Sequence, residues 1–222
     1  MNARDVVLAK IRRSLRVTGE EVARNATVDD RLRRAPVGVI PARGRPAPVK
    51  RIALFIKMAE AVSASVARVA DTDELPAAVA GYLRSHNLPA ALRMGSDPLL
   101  AGLDWTGTQV EVSHGAAGVN DAVGLSRAFA GVAETGTLML ASGPDNPTTV
   151  NFLPETHIVV LATSDVVGCS EDGWERLRAI FGKGVMPRTV NMVTGPSRSG
   201  DIEQTLLLGA HGPRRLHIIV VG

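Results

Sequence analysis

Six short apolar runs recur along this chain, at 66–69, 88–93, 109–112, 137–141, 158–162 and 216–221, and helix-like segments separate several of them. Runs of this length suit strands better than helices, which need ten residues or more. Alternation of short strands with amphipathic helices predicts an α/β domain rather than an all-α or all-β one. Ile52, Phe55, Ile56, Ala59 and Val62 fall on one helical face, as do Leu75, Val79, Tyr82 and Leu83 after the cluster Asp71–Asp73. Pro76 fits only the first turn of that second helix, where its missing amide has no intrahelical acceptor to lose. Ser170, followed by Glu171 and Asp172, is expected to cap a third helix that buries Trp174, Leu177, Ile180 and Phe181.

Ahead of this body, Val7, Leu8, Ile11 and Leu15 predict a short amphipathic helix. From Arg16 to Lys50 no period is visible, and Pro36, Pro41, Pro46 and Pro48 suggest a linker or strap. The expected organisation is therefore a basic helix and Pro-rich linker over 1–50 and an α/β domain over 51–222. The formal charge of +3 hides an asymmetry: residues 1–50 hold 12 Lys/Arg against 5 Asp/Glu, and the remainder 13 against 17. A basic segment of this kind can meet an acidic partner, or simply be a solvated helix and linker.

The last stretch carries the densest pattern. Thr189 to Val193 reads as a strand, Gly195 to Glu203 as a loop of small and charged residues, Gln204 to Leu208 as a helix, and Leu216 to Val221 as a strand. Together they predict a parallel βαβ unit, with the loop at a strand's carboxyl end as half of a ligand site. Ser197, Arg198 and Ser199 could hold a phosphate or carboxylate, although Asp201 and Glu203 would repel an anion close by. The spacing matches neither a P-loop nor a dinucleotide fingerprint. A second turn, Glu134-Thr135-Gly136-Thr137, sets a carboxylate and two hydroxyls at a tight bend. Glu134 there can act as general base, nucleophile or acceptor, or it can merely close the turn.

Other chemistries are not expected. Cys169 is the one cysteine, so the chain offers no internal disulfide, CxxC metal site or cluster motif of its own. His114, His157, His211 and His217 lack HxH or HExxH spacing, and each reads as a hydrogen-bonding or capping residue. Ser142-Gly143-Pro144-Asp145 is not a nucleophile elbow. With 3% aromatic residues the chain lacks stacking platforms for single-stranded nucleic acid. No apolar run is long enough to span a membrane, no secretory signal is read at the N-terminus, and a reducing cytoplasmic setting is expected.

Three blocks, GVAETGTLML from Gly131, SGPDNPTTVNFLPETHIVVL from Ser142 and TGPSRSGDIEQTLLLGAHGPRRLHIIVV from Thr194, closely resemble the lactate utilisation protein C family and its LUD domain. The resemblance runs from Val119 to the C-terminus and is looser over 51–118. It implies an open Rossmann-like α/β sheet similar to glucosamine-phosphate deaminases, ribose-phosphate isomerases and coenzyme A transferases. It also implies a cytoplasmic, cluster-free subunit that works with two iron–sulfur proteins in oxidising lactate to pyruvate, with no cofactor of its own identified and homo-oligomers open. By analogy with coenzyme A transferases, Glu134 becomes a candidate acyl acceptor. Thr135, Gly136, Thr137, Gly195, Ser197, Arg198, Ser199 and Asp201 become candidate substrate- or anion-binding residues. A free-standing acyl- or phosphosugar-handling enzyme, and a non-catalytic assembly or regulatory subunit, are the alternative functions.

Overall fold

The computed structural model describes residues 2–200 and 206–222. It divides into two compact units, Met1–Val39 and Ile40–Gly222.

The first unit holds α1 (Ala3–Leu15) and α2 (Val22–Arg34), and neither helix buries a residue. Asn2 caps α1 by accepting from the Asp5 amide at 2.9 Å. The second helix was not expected, because its apolar residues Val22, Val28 and Leu32 form no regular stripe and all three are exposed. Local contacts hold it instead. The Glu21 carboxylate accepts from Thr18 Oγ1 at 2.9 Å, and Arg34 pairs with Asp30 one turn away.

The second unit opens with α3 (Pro48–Ala61), β1 (Ser65–Val69), α4 (Leu75–Ser85), β2 (Ala91–Met94), α5 (Pro98–Ala101), β3 (Glu111–His114) and β4 (Val123–Arg127). It continues through β5 (Ala130–Val132), β6 (Thr137–Ala141), α6 (Thr148–Phe152), β7 (Thr156–Ala162), β8 (Val166–Val167) and α7 (Ser170–Phe181). It ends with β9 (Val190–Val193), β10 (Arg198–Gly200), β11 (Leu206–Leu208) and β12 (Arg215–Val221). The main sheet has the order β1-β12-β7-β4-β2-β3, and every neighbouring pair in it is parallel. The expected open, Rossmann-like α/β sheet is the fold observed.

The central strands read as continuous apolar runs because both faces of a parallel sheet are covered. Side-chain alternation then sorts them. Ile158 and Val160 of β7, with Ile219 and Val221 of β12, pack with Leu75, Val79 and Leu83 of α4 and Leu100 of α5. Val159 and Leu161, with Leu216, Ile218 and Val220, pack with Phe55 and Ala59 of α3 and with Leu138 and Leu140 of β6. Strand β6 belongs to a smaller sheet of order β8-β5-β6-β9. The far side of that sheet is closed by α7, whose Gly173 lies so near Met139 Sδ that an added Cβ would sit 2.4 Å from it.

Two expectations fail at the chain's end. Strand β9 does not start a parallel βαβ unit: it pairs antiparallel with β6, Leu138 opposite Val193. The run read as a helix is strand over Leu206–Leu208, paired antiparallel with Arg198–Gly200. Three successive leucines carry no helical period of their own, and the register to β10 decides their conformation. The helix α7 is also capped one residue earlier than expected, with Asp172 Oδ2 accepting from the Gly168 and Cys169 amides at 3.2 and 3.3 Å. Its Leu177 is buried as expected, whereas Ile180 is exposed.

Candidate functional site

Two of the three sequence blocks, those from Ser142 and Thr194, meet at one cleft. It lies beside the amino ends of β7 and β12, has a volume of about 280 Å³, and is lined by Asn151, Phe152, His157, Met192 to Arg198, His211 to Pro213 and Leu216. Helix α6 is brought down on β4 because Gly124 has no side chain; a Cβ there would stand 2.4 Å from Val150 O. That close approach sets Asn151 against the sheet. His157 sits on β7 in register with Gly124 and Leu216.

The loop after β9 forms the opposite wall. Gly195 takes a left-handed φ of +74°, and a Cβ would meet Val62 O at 2.3 Å, so the loop is seated on the end of α3. The Arg198 guanidinium donates to that same Val62 carbonyl. Ser197 donates its amide to Pro213 O at 2.8 Å and accepts from the Gly209 amide at 3.0 Å, which ties the hairpin β10–β11 to the Ala210–Pro213 turn.

Two side chains on the cleft stand out energetically. Asn151 is 1% exposed, and neither its Oδ1 nor its Nδ2 has a partner among the described residues. His157 is fully buried; Nε2 lies 2.7 Å from Ser126 Oγ, while Nδ1 has no partner among the described residues. A buried polar group without a hydrogen bond costs about 1–3 kcal/mol, so the open amide and imidazole beside this cleft offer bonds that a ligand or ordered water would complete.

The residues expected from sequence are only partly gathered. Ser197, Arg198 and Gly195 line the cleft. Thr135, Gly136 and Thr137 do not, but a chain of hydroxyls joins them to it: Thr135 to Thr137 at 2.7 Å, and Thr137 to Thr194 on the cleft wall at 2.7 Å. Ser199 lies on β10 opposite Leu207, away from the lining. Asp201 lies outside the described residues. Glu134 points elsewhere. Its Oε1 accepts from the Ser170 amide at the start of α7 at 3.2 Å, a placement favoured by the helix dipole. Its Oε2 has no partner among the described residues and is shut in by Gly44, whose added Cβ would lie 2.7 Å away.

Sequence reasoning gave Asn151 and Ser126 no role, and it gave His157 only a boundary role. The available signal was an Asn inside the otherwise apolar run Val150–Leu153, followed by a His that opens an apolar strand. A second cavity, of about 390 Å³, lies at the carboxyl ends of β2 and β4 and is lined by Asp97, Arg127, Asp165 and Arg176 among others. Four of its charges pair off, Arg127 with Asp97 at 2.8 Å and Arg176 with Asp165, and Asp145 lines it as well. Among the described residues no three of His, Cys, Asp and Glu gather as a metal-binding set. Cys169 is buried, and one thiol cannot hold a cluster.

Burial holds both core histidines neutral. His157 is pushed down from 6.5 to about 3 by desolvation. His217 falls to about 4, by desolvation first and then by the charge of His86, with its ring stacked 3.9 Å from that of Tyr82. The unfolded chain takes up protons near pH 6.5 that the folded chain refuses. Stability is therefore full above that pH and declines as pH falls from about 6.5 toward 4, by at most ~1.4 kcal/mol per pH unit for each ring. Urea midpoints measured across this window should drop steadily, and His217→Gln should flatten the slope; an unchanged slope would contradict the assignment.

Residues 52–221 match the model of the LUD domain. Over 100 residues the chain is 39% identical to lactate utilization protein C of Geobacillus sp. (strain WCH70), an alignment covering 45% of this chain and 42% of that protein. Against lactate utilization protein C of Bacillus subtilis (strain 168) the identity is 36% over 100 residues, again 45% of this chain and 42% of the relative. These alignments span under half the length of either curated relative. A crystal structure of a DUF162 family protein from Deinococcus radiodurans superposes with a TM-score of 0.58 at 23% identity, covering 80% of this chain and all of that one. The family model takes in most of the chain, including every residue of the cleft, and the chain belongs to the LUD domain family.

Proposed function

We propose that this chain is a lactate-utilisation protein, a component without a cluster of its own in a system that oxidises lactate to pyruvate. The observation that carries this reading is that two of the blocks resembling lactate utilisation protein C line one polar cleft with open hydrogen-bonding groups on Asn151 and His157, while the third is tied to its wall through Thr137 and Thr194. The cleft has room for a three-carbon hydroxy acid together with water. Neutral donors and the Arg198 guanidinium, which keeps N–H groups beyond the one given to Val62, suit a carboxylate or carbonyl oxygen.

Oxidation of lactate removes two electrons and two protons, and with Cys169 as its one cysteine this chain offers no iron–sulfur cluster motif to receive the electrons. The acceptors are cysteine-rich iron–sulfur proteins acting as partners. Glu134, turned toward Ser170 and covered by Gly44, serves in this reading to anchor α7 rather than to accept an acyl group.

Affinity purification of the chain from its native host tests the proposal. Iron-bearing, cysteine-rich proteins should co-purify, and the eluate should reduce a dye when given lactate. An eluate free of such proteins and inert toward lactate would overturn it.

A further inference from the structure

Ser126 lies on β4 beside His157, and both are buried. A neutral imidazole carries one proton, on either nitrogen. If Nε2 carried it and donated to Ser126, the Ser126 hydroxyl hydrogen and the Nδ1 lone pair would both lack partners among the described residues. If Ser126 donates to Nε2, only the Nδ1 N–H is left over. Because each buried polar group without a bond is costly, the second arrangement wins. Its one leftover N–H belongs to a ring that lines the cleft, as does the amide of Asn151, whose Nδ2 is also unpartnered.

We propose that Ser126 is a positioning residue that fixes His157 as a hydrogen-bond donor through Nδ1, so that His157 and the Asn151 amide together form a two-donor hole for a carbonyl or carboxylate oxygen. The proposal rests on the cleft being the functional site and adds what the cleft recognises. Neutral donors in a dry setting hold an oxygen on which negative charge develops more strongly than water does, without the reorganisation water requires. The neutral ring needed for this is the state that burial enforces on His157. A ligand oxygen reaching both leftover donors would satisfy them together; an ammonium group could meet only the open Asn151 Oδ1, and an alkyl chain would meet none of the three.

Long-range 1H–15N spectra of the full chain, labelled on histidine, read the tautomer directly. His157 should carry its proton on Nδ1 and hold it there from about pH 5 to 8. Ser126→Ala should give a mixture of tautomers, and Ser126→Thr, which keeps the hydroxyl, should restore the single one. Added pyruvate or oxalate should then shift the Nδ1 signal, and Asn151→Ala should weaken that binding about tenfold or more. A proton on Nε2 in the unaltered chain would overturn the role of Ser126 whatever the cleft binds. A correct tautomer with no response to either acid would instead overturn the oxygen hole, and with it the reading of this cleft as the functional site.

Discussion

Replacing Asn151 with Leu should destroy function and raise stability together. The wild-type side chain is 1% exposed, with both polar atoms unpartnered among the described residues. An apolar group of similar volume removes a desolvation cost of about 1–3 kcal/mol, and for a protein of this size each kcal/mol moves the melting temperature by about 2–4 °C. If the amide holds a ligand oxygen, its loss should lower lactate-dependent turnover by about 10²–10³-fold, the usual effect of deleting one such donor. Growth on lactate of a host carrying only Asn151→Leu, compared with its thermal denaturation, checks both halves. A variant that melts higher and no longer supports growth is the outcome expected of a functional site, where stability is given up for activity. Normal growth, or a lower melting temperature, would mean that Asn151 is a packing residue whose partners are ordered waters.

The second large effect is structural. Gly136→Ala should destabilise the fold by about 2–5 kcal/mol, from ~1–2 for left-handed backbone and ~1–3 for overpacking. Gly136 has φ +67°, and its added Cβ would lie 2.3 Å from Ala59 N and 2.6 Å from Met58 C. Those are backbone atoms of α3, which cannot swing aside as a side chain could. Gly184 separates the two causes: its φ is +82° but nothing lies within 4 Å of an added Cβ. Gly184→Ala should therefore cost only the conformational part, about 1–2 kcal/mol. Chemical denaturation of the two variants checks this, and equal losses would show that the contact with α3 is unimportant. Because Thr137 sits next to Gly136 and bonds Thr194, the Gly136 variant should also loosen the cleft wall.

Much of the fold is legible in the sequence because a parallel sheet covered on both faces writes itself as apolar runs. Val66–Val69, Ile158–Ala162 and Leu216–Val221 all lie within central or edge strands of the main sheet. The helix α2 is not legible: its stability comes from the Thr18–Glu21 turn and an exposed ion pair, not from a periodic apolar stripe. Nor is the pairing of Arg198–Gly200 with Leu206–Leu208, since a short leucine run is ambiguous until a partner strand is known. The site shows the same division. Gly195, Ser197 and Arg198 announce themselves by residue type and do line the cleft. Glu134 announces itself equally and turns toward the start of α7 instead, because the segment carrying Gly44 closes over its carboxylate. Asn151, His157 and Ser126 look ordinary in sequence. They gain meaning only from burial and from which of their hydrogen bonds the protein leaves unmade.

The most direct test of the cleft is a map of ligand-induced shifts in the isotope-labelled full chain titrated with lactate and with pyruvate. Saturable shifts at the Asn151 side-chain amide, at His157 and along Thr194–Arg198, with Glu134 and Gly44 unmoved, are the result expected here. Shifts centred on Glu134, Gly44 and Cys169, or none in the cleft with either acid, would contradict it.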